Sequence, residues 1–180
     1  MSPVIHPAHT APAAGIGPEQ LCAQWYAAHG AAVYNYLRFQ LASPDEAEDL
    51  TAEAFLRAVR AADRFDPSKA SALTWLLTIA RHVLIDHVRS AKVRRHVGLD
   101  ELRDLPTDAP SPEERMLQRE AMARVLDAMA TMSAGDREIL SLRFGGELEI
   151  PEIAATLGVR AGTVRTRLWR ALERLRERLT

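Results

Sequence analysis

Arg165, Thr166, Trp169 and Arg170 fall at steps that place them on one side of a helix. Two guanidinium groups, a hydroxyl and an indole on one face suit the recognition of base edges and phosphates rather than bond-making. The element that must carry them is a helix over Ala161 to Leu179. Its other side repeats Val164, Leu168, Ala171, Leu172, Leu175 and Leu179 at three- and four-residue steps. The two stripes point about 140° apart, so one side packs while the other is offered outward. Arg160, Gly162 and Thr163 stand at its start, where small residues and free backbone N–H groups admit a phosphate.

The segment before it supplies the required turn. Pro151 suits a first helical position, and Ile153, Ala154 and Leu157 give an apolar face. Gly158 stands where the chain must bend through a left-handed conformation, and Val159 fills the angle. This is a helix-turn-helix, whose second helix enters the major groove. Glu149-Ile150-Pro151 lacks a serine or threonine cap, so a weaker helix start, or one capped by another group, is expected there.

Charge is distributed unevenly along a nearly neutral chain of net charge −1. Arg160–Thr180 holds seven arginines against two glutamates, and Arg81–His96 holds five bases against Asp86 alone. Asp45–Glu53 holds five acids and no base. Two basic patches and one acidic patch imply a polyanion partner and a separate basic protein partner. Arg174, Arg176 and Arg178 alternate with Glu173 and Glu177, which points to surface ion pairs.

Several classes are excluded. One cysteine, Cys22, allows no internal disulfide and no cysteine-rich zinc site. No apolar run reaches the roughly 18 residues of a membrane span. Met1–Pro18 lacks the basic start and apolar core of a secretion signal, so a cytoplasmic protein without membrane insertion is expected. There is no Gly-rich phosphate loop or nucleophile elbow. His82, Asp86 and His87 share a helix, but a five-residue step turns His87 about 140° from His82. The reading is no enzyme, no cofactor, no metal and no small-molecule substrate.

The chain of 180 residues reads as all-α: two small helical domains joined by a flexible linker, the second a helix-turn-helix domain. Residues 1–18 form a disordered tail, 19–97 the first domain, 98–112 the linker and 113–180 the second domain. Helices are predicted over Glu19–Leu41, Asp45–Ala62, Thr74–Val93, Glu113–Met132, Ala134–Phe144 and Pro151–Leu157 before the terminal one. Ser43-Pro44 marks a helix start, and Pro106, Pro110 and Pro112 mark the linker.

Asp136-Arg137-Glu138-Ile139-Leu140-Ser141-Leu142-Arg143-Phe144, Glu152-Ile153-Ala154, Leu157-Gly158-Val159 and Gly162 through Leu168 resemble the fourth conserved region of bacterial sigma factors. Glu46 through Ala58, Thr74-Trp75-Leu76, Ile79-Ala80-Arg81, Leu84-Ile85-Asp86 and Arg94-Arg95 resemble the second. With these two regions alone, the chain resembles the extracytoplasmic-function (ECF) group.

The resemblance implies a subunit that binds core RNA polymerase and directs promoter recognition, melting and transcription initiation. Glu48, Asp49, Glu53, Phe55 and Val59 would bind core polymerase. Phe65, Ser68, Lys69, His82, Arg89, Lys92, Arg94 and Arg95 would bind the minus-ten element. The loop Phe65–Ala72 would capture a flipped base, with Phe65 and His82 lining its pocket. Arg160, Thr163, Arg165, Thr166, Trp169 and Arg170 would bind the minus-thirty-five element. His82 stands where members often carry asparagine, and Ala52 where many carry glutamine. Trp75 is read as a core anchor. Control by an anti-sigma protein wedged between the domains is expected. The competing reading is a stand-alone dimeric helix-turn-helix regulator, which would have no use for the acidic helix.

Overall fold

The computed structural model describes residues 17–94 and 112–180, with the side chains of 91–94 and 112–119 left out. The tail through Ile16, the segment 95–111, Arg95 and the side chains of Lys92 and Arg94 lie outside the described residues.

The regular elements among the described residues are all helical, without strands. Helix α1 spans Pro18–Gln40, α2 Pro44–Arg60 and α3 Ala72–Arg94. Helix α4 spans Pro112–Ala130, α5 Ala134–Leu140, α6 Ile150–Leu157 and α7 Ala161–Leu179. Pro18 opens α1, so the helix reaches back to the last residue assigned to the tail. Serines start three helices by accepting backbone N–H bonds. Ser43 Oγ accepts from Glu46 at 3.3 Å, Ser71 Oγ from Thr74 at 3.1 Å and Ser133 Oγ from Asp136 at 3.2 Å.

Helices α1, α2 and α3 pack together as a first lobe, and α4, α5 and α6 pack on α7 as a second. Trp25, Tyr36, Leu37, Phe55, Leu76 and Leu77 fill the first lobe. Met129, Ile139, Leu142, Leu148, Ile153 and Val164 fill the second. The two interiors run into one continuous apolar cluster. The domains anticipated on a tether are therefore closed on one another.

Sequence periodicity runs a single helix from Ala134 to Phe144. In the structure the α-helix stops at Leu140 and widens into a π-helical turn, Ser141–Gly145. Gly146 N–H donates to Ser141 O at 2.8 Å, and the Ser141 hydroxyl donates to Arg137 O at 2.7 Å, competing for the ladder. Glu147, not a glycine, then takes the left-handed conformation at φ 57°. The two glycines before it serve close approach instead. A Cβ on Gly145 would lie 2.8 Å from the backbone of Asn35 and Tyr36 in α1. One on Gly146 would meet Leu77 of α3 at 2.7 Å. The first lobe thus sits directly on this turn.

Candidate nucleic-acid interface

Helix α7 begins and ends where its periodicity predicts. Gly158 ends α6 at φ 66°, the left-handed bend that the motif needs, and Val159 N–H donates to Ala154 O at 3.0 Å. The serine-free start of α6 has a substitute: Glu149 N–H donates to Glu152 Oε2 at 3.0 Å, the return half of a capping box. Val164, Leu168 and Ala171 are buried, which fixes the rotation of the helix. Leu172 and Leu179 are a correction: both lie exposed, and of that stretch Leu175 is the residue that packs against the core.

The outward stripe is open. Arg160, Thr163, Arg165, Thr166, Trp169 and Arg170 are all exposed, Trp169 by 65%. Among the described residues Arg160, Arg165, Arg167 and Arg170 have no acidic partner, and Thr166 only donates to Gly162 O at 3.1 Å. The last turns differ. Arg174 donates to both Asp136 carboxylate oxygens at 2.8 and 2.9 Å, Arg176 pairs with Glu173, and Arg178 donates to Thr131 and to Arg174 O. Of the ion pairs expected within the helix, only Arg176–Glu173 forms among the described residues; Arg174 pairs instead with Asp136 of α5, and Arg178 bonds a hydroxyl and a carbonyl rather than a carboxylate.

The loop before α3 is tied together. Phe65 lies edge-on to Trp25 at 6.0 Å between centroids and tilted to Trp75 at 5.2 Å; Trp25 and Trp75 are 5.4 Å apart. Trp75 is a packing anchor, and Phe65 is a half-buried member of the same ring cluster. Asp66 Oδ1 accepts from the Ser68 amide and hydroxyl at 3.0 and 2.6 Å, and Lys69 pairs with Asp66 at 3.1 Å. The Ser68 donors, then Lys69, hold the Asp66 carboxyl below its ordinary value. His82 and Arg89 are exposed on α3. Asp86 is drawn to Arg57 at 2.8 Å, and His87 faces Glu46 at 3.5 Å.

On α2, Glu48 and Asp49 are exposed, while Glu53 pairs with Arg57 at 2.7 Å. Phe55 is corrected out of the contacting set. It is 2% exposed and packs edge-on to Tyr26, so it belongs to the core. Val59 is partly buried against that core. Ala47, Thr51, Ala54, Phe55 and Ala58 share the inward face, a spacing that could have placed Phe55 inside. Leu56, 50% exposed, is the apolar residue that sits on the open side near Ala52 and Glu53.

A helix-turn-helix lobe with a bare basic stripe, closed on a second helical lobe with an acidic face, defines a DNA-binding protein of two-lobed helical type. Residues 25–94 match the Sigma-70 region 2 family and residues 128–177 match Sigma-70, region 4. The chain is 32% identical over 153 residues to the ECF RNA polymerase sigma factor SigL of Mycobacterium tuberculosis, covering 84% of each. It is 34% identical over 143 residues to the ECF sigma factor BldN of Streptomyces coelicolor. That match covers 79% of this chain and 54% of BldN, so the chain spans about half the length of that relative. The fold is similar to that of the sigma factor RpoE, solved in complex with the anti-sigma factor NepR from Bartonella quintana. The TM-score is 0.69 at 23% identity, over 87% of this chain and 95% of that one. The chain belongs to the ECF RNA polymerase sigma factors. Among the described residues no helix is long and apolar enough to cross a membrane.

Proposed function

We infer that the chain is the promoter-specificity subunit of a bacterial RNA polymerase. Glu48, Asp49 and the exposed end of Glu53, with Leu56 beside them, meet a basic surface of core polymerase. The loop Phe65–Ala72, His82, Arg89 and the basic end of α3 engage the minus-ten element. The α7 stripe reads the minus-thirty-five element, with Trp169 along the sugar–phosphate wall. Residues 19–97 and 113–180 are the two working units. Catalysis belongs to the polymerase, and the setting is the cytoplasm.

One observation carries the reading. An unpartnered basic stripe on one lobe and an exposed acidic face on the other occur in a chain that matches both sigma regions. Either contact alone is weak; a scaffold that spaces both sites makes them strong together. An inhibitory anti-sigma protein is part of the proposal.

Run-off transcription with core polymerase over a pool of randomised promoters tests this. New start sites that depend on the chain are expected, sharing two separated sequence elements. Failure of core polymerase to retain the chain or to start at new sites would remove the reading.

A further inference from the structure

Helix α3 carries one acid in the middle of a basic face. His82, Asp86 and Arg89 follow at steps of four and three, so they stand within about 60° of one another around the helix. Asp86 is the only acid between Arg81 and His96. His82 and Arg89 are exposed, and the sigma reading sets both against the minus-ten element. A carboxylate between them would face phosphates of its own sign.

The acid is answered from the neighbouring helix. Arg57 of α2 donates from Nη1 to Asp86 Oδ2 at 2.8 Å and from Nε to Glu53 Oε1 at 2.7 Å. Glu53 stands one turn back on the same helix, so it pins the planar fork at one nitrogen and aims another across to α3. Arg57, with smaller help from Arg89 and His82, keeps the Asp86 carboxyl below its ordinary value. As a bond between helices the bridge is weak, because the Arg57 and Asp86 side chains are 39% and 53% exposed. What it changes is the charge of the surface on which DNA would lie.

We propose that Arg57 is a positioning residue for promoter binding: pinned by Glu53, it covers the Asp86 carboxylate and turns the His82–Asp86–Arg89 face of α3 from one that repels DNA into one that accepts it. The inference rests on the sigma reading, which makes α3 the helix that meets the minus-ten element. Loss of Arg57 leaves a bare negative charge in that face. Loss of Arg57 and Asp86 together leaves no charge to cover. A purely structural arginine has no such signature, since a second substitution would then add damage or leave it as it is.

The test uses holoenzyme assembled from core polymerase and the full chain, as wild type, Arg57→Met, Asp86→Asn or the double variant. Binding to a promoter fragment recovered from the randomised pool is titrated at saturating core polymerase, so a changed hold on polymerase does not enter. Arg57→Met should bind about tenfold more weakly, the scale of one like-charge contact near a surface. The loss should shrink as salt is raised. Asp86→Asn alone should bind at least as well as the wild type, and the double variant should return to within about twofold of it. An unchanged affinity in Arg57→Met, a loss that Asp86→Asn leaves unrepaired, or a loss in Asp86→Asn alone would overturn the inference. In the free chain, a carboxyl titration followed by NMR should show the Asp86 midpoint rising toward the ordinary 3.8 in Arg57→Met. An unmoved midpoint would show that the bridge does not form. A wild type that core polymerase ignores would defeat the sigma reading instead, while the carboxyl titration would still decide whether Arg57 covers Asp86.

Discussion

On α7, Arg160, Arg165, Arg167 and Arg170 stand clear of any acidic side chain among the described residues. At the start of α3 the candidate residues are bound to their neighbours. Phe65 belongs to a ring cluster, and Ser68 and Lys69 both serve Asp66. The stripe on α7 gets its position from the opposite side of its own helix, through Val164, Leu168 and Ala171. Its outward residues are therefore free to vary without disturbing the fold. The α3 loop has no such division, so the groups proposed there to meet DNA also hold their own scaffold.

Substitutions can break this contrast. Phe65→Ala should lower the stability of the first lobe by about 2–3 kcal/mol, since it removes a ring from a packed cluster. Thermal unfolding followed by circular dichroism measures this, and an unchanged midpoint would dissolve the contrast. Arg165→Ala and Arg170→Ala should each weaken promoter binding by about 1–3 kcal/mol if they contact bases. Neither should change stability by more than about 0.5 kcal/mol. Promoter competition by the holoenzyme, paired with melting of the free chain, would show an unexpected structural role for either arginine.

Backbone geometry offers a finer test. Gly158→Ala should cost about 1 kcal/mol, because alanine resists the left-handed bend, while Glu147→Gly should gain about 1 kcal/mol at its positive φ. Chemical denaturation would reveal the opposite signs. Arg174→Ala should cost less than about 1 kcal/mol and leave promoter choice intact, since its guanidinium is spent on Asp136. A changed upstream preference in that variant would extend the reading stripe down the helix. The smallest effect is on the Asp66 loop. Its folded carboxyl lies below the ordinary 3.8, so its contribution is fully present above that value. It is lost as the pH falls through the depressed value. An acid titration of the Ser68 amide signal with a midpoint at or above the ordinary value would remove this prediction.

Much of α7 was legible because its two stripes, its bounds and the Gly158 bend are all local features with a helical period. Trp75 as an anchor was equally legible, from a large aromatic at a helix start. Phe55 was misplaced because it sits within an acidic pattern that masks the inward spacing it shares with Thr51 and Ala58. The π turn left no trace in periodicity, since one extra residue in a single turn barely alters the apolar steps. The contacts between the lobes were invisible for another reason. Glu138 and Glu152 accept from Arg81 and Thr74, 57 and 78 residues away, and nothing in their immediate neighbours records such a contact. The cap on α6 hid in the same residue, because glutamate at its third position looks like ordinary surface charge.

Glu152 has two oxygens with separate duties: Oε2 stays within its own helix start, and Oε1 alone reaches across to Ser71 and Thr74 of the first lobe. One side chain therefore answers to two neighbourhoods at once. An exchange there would register both in the turn that aims α7 and at the front of α3, so this position has less freedom to drift than an ordinary surface acid.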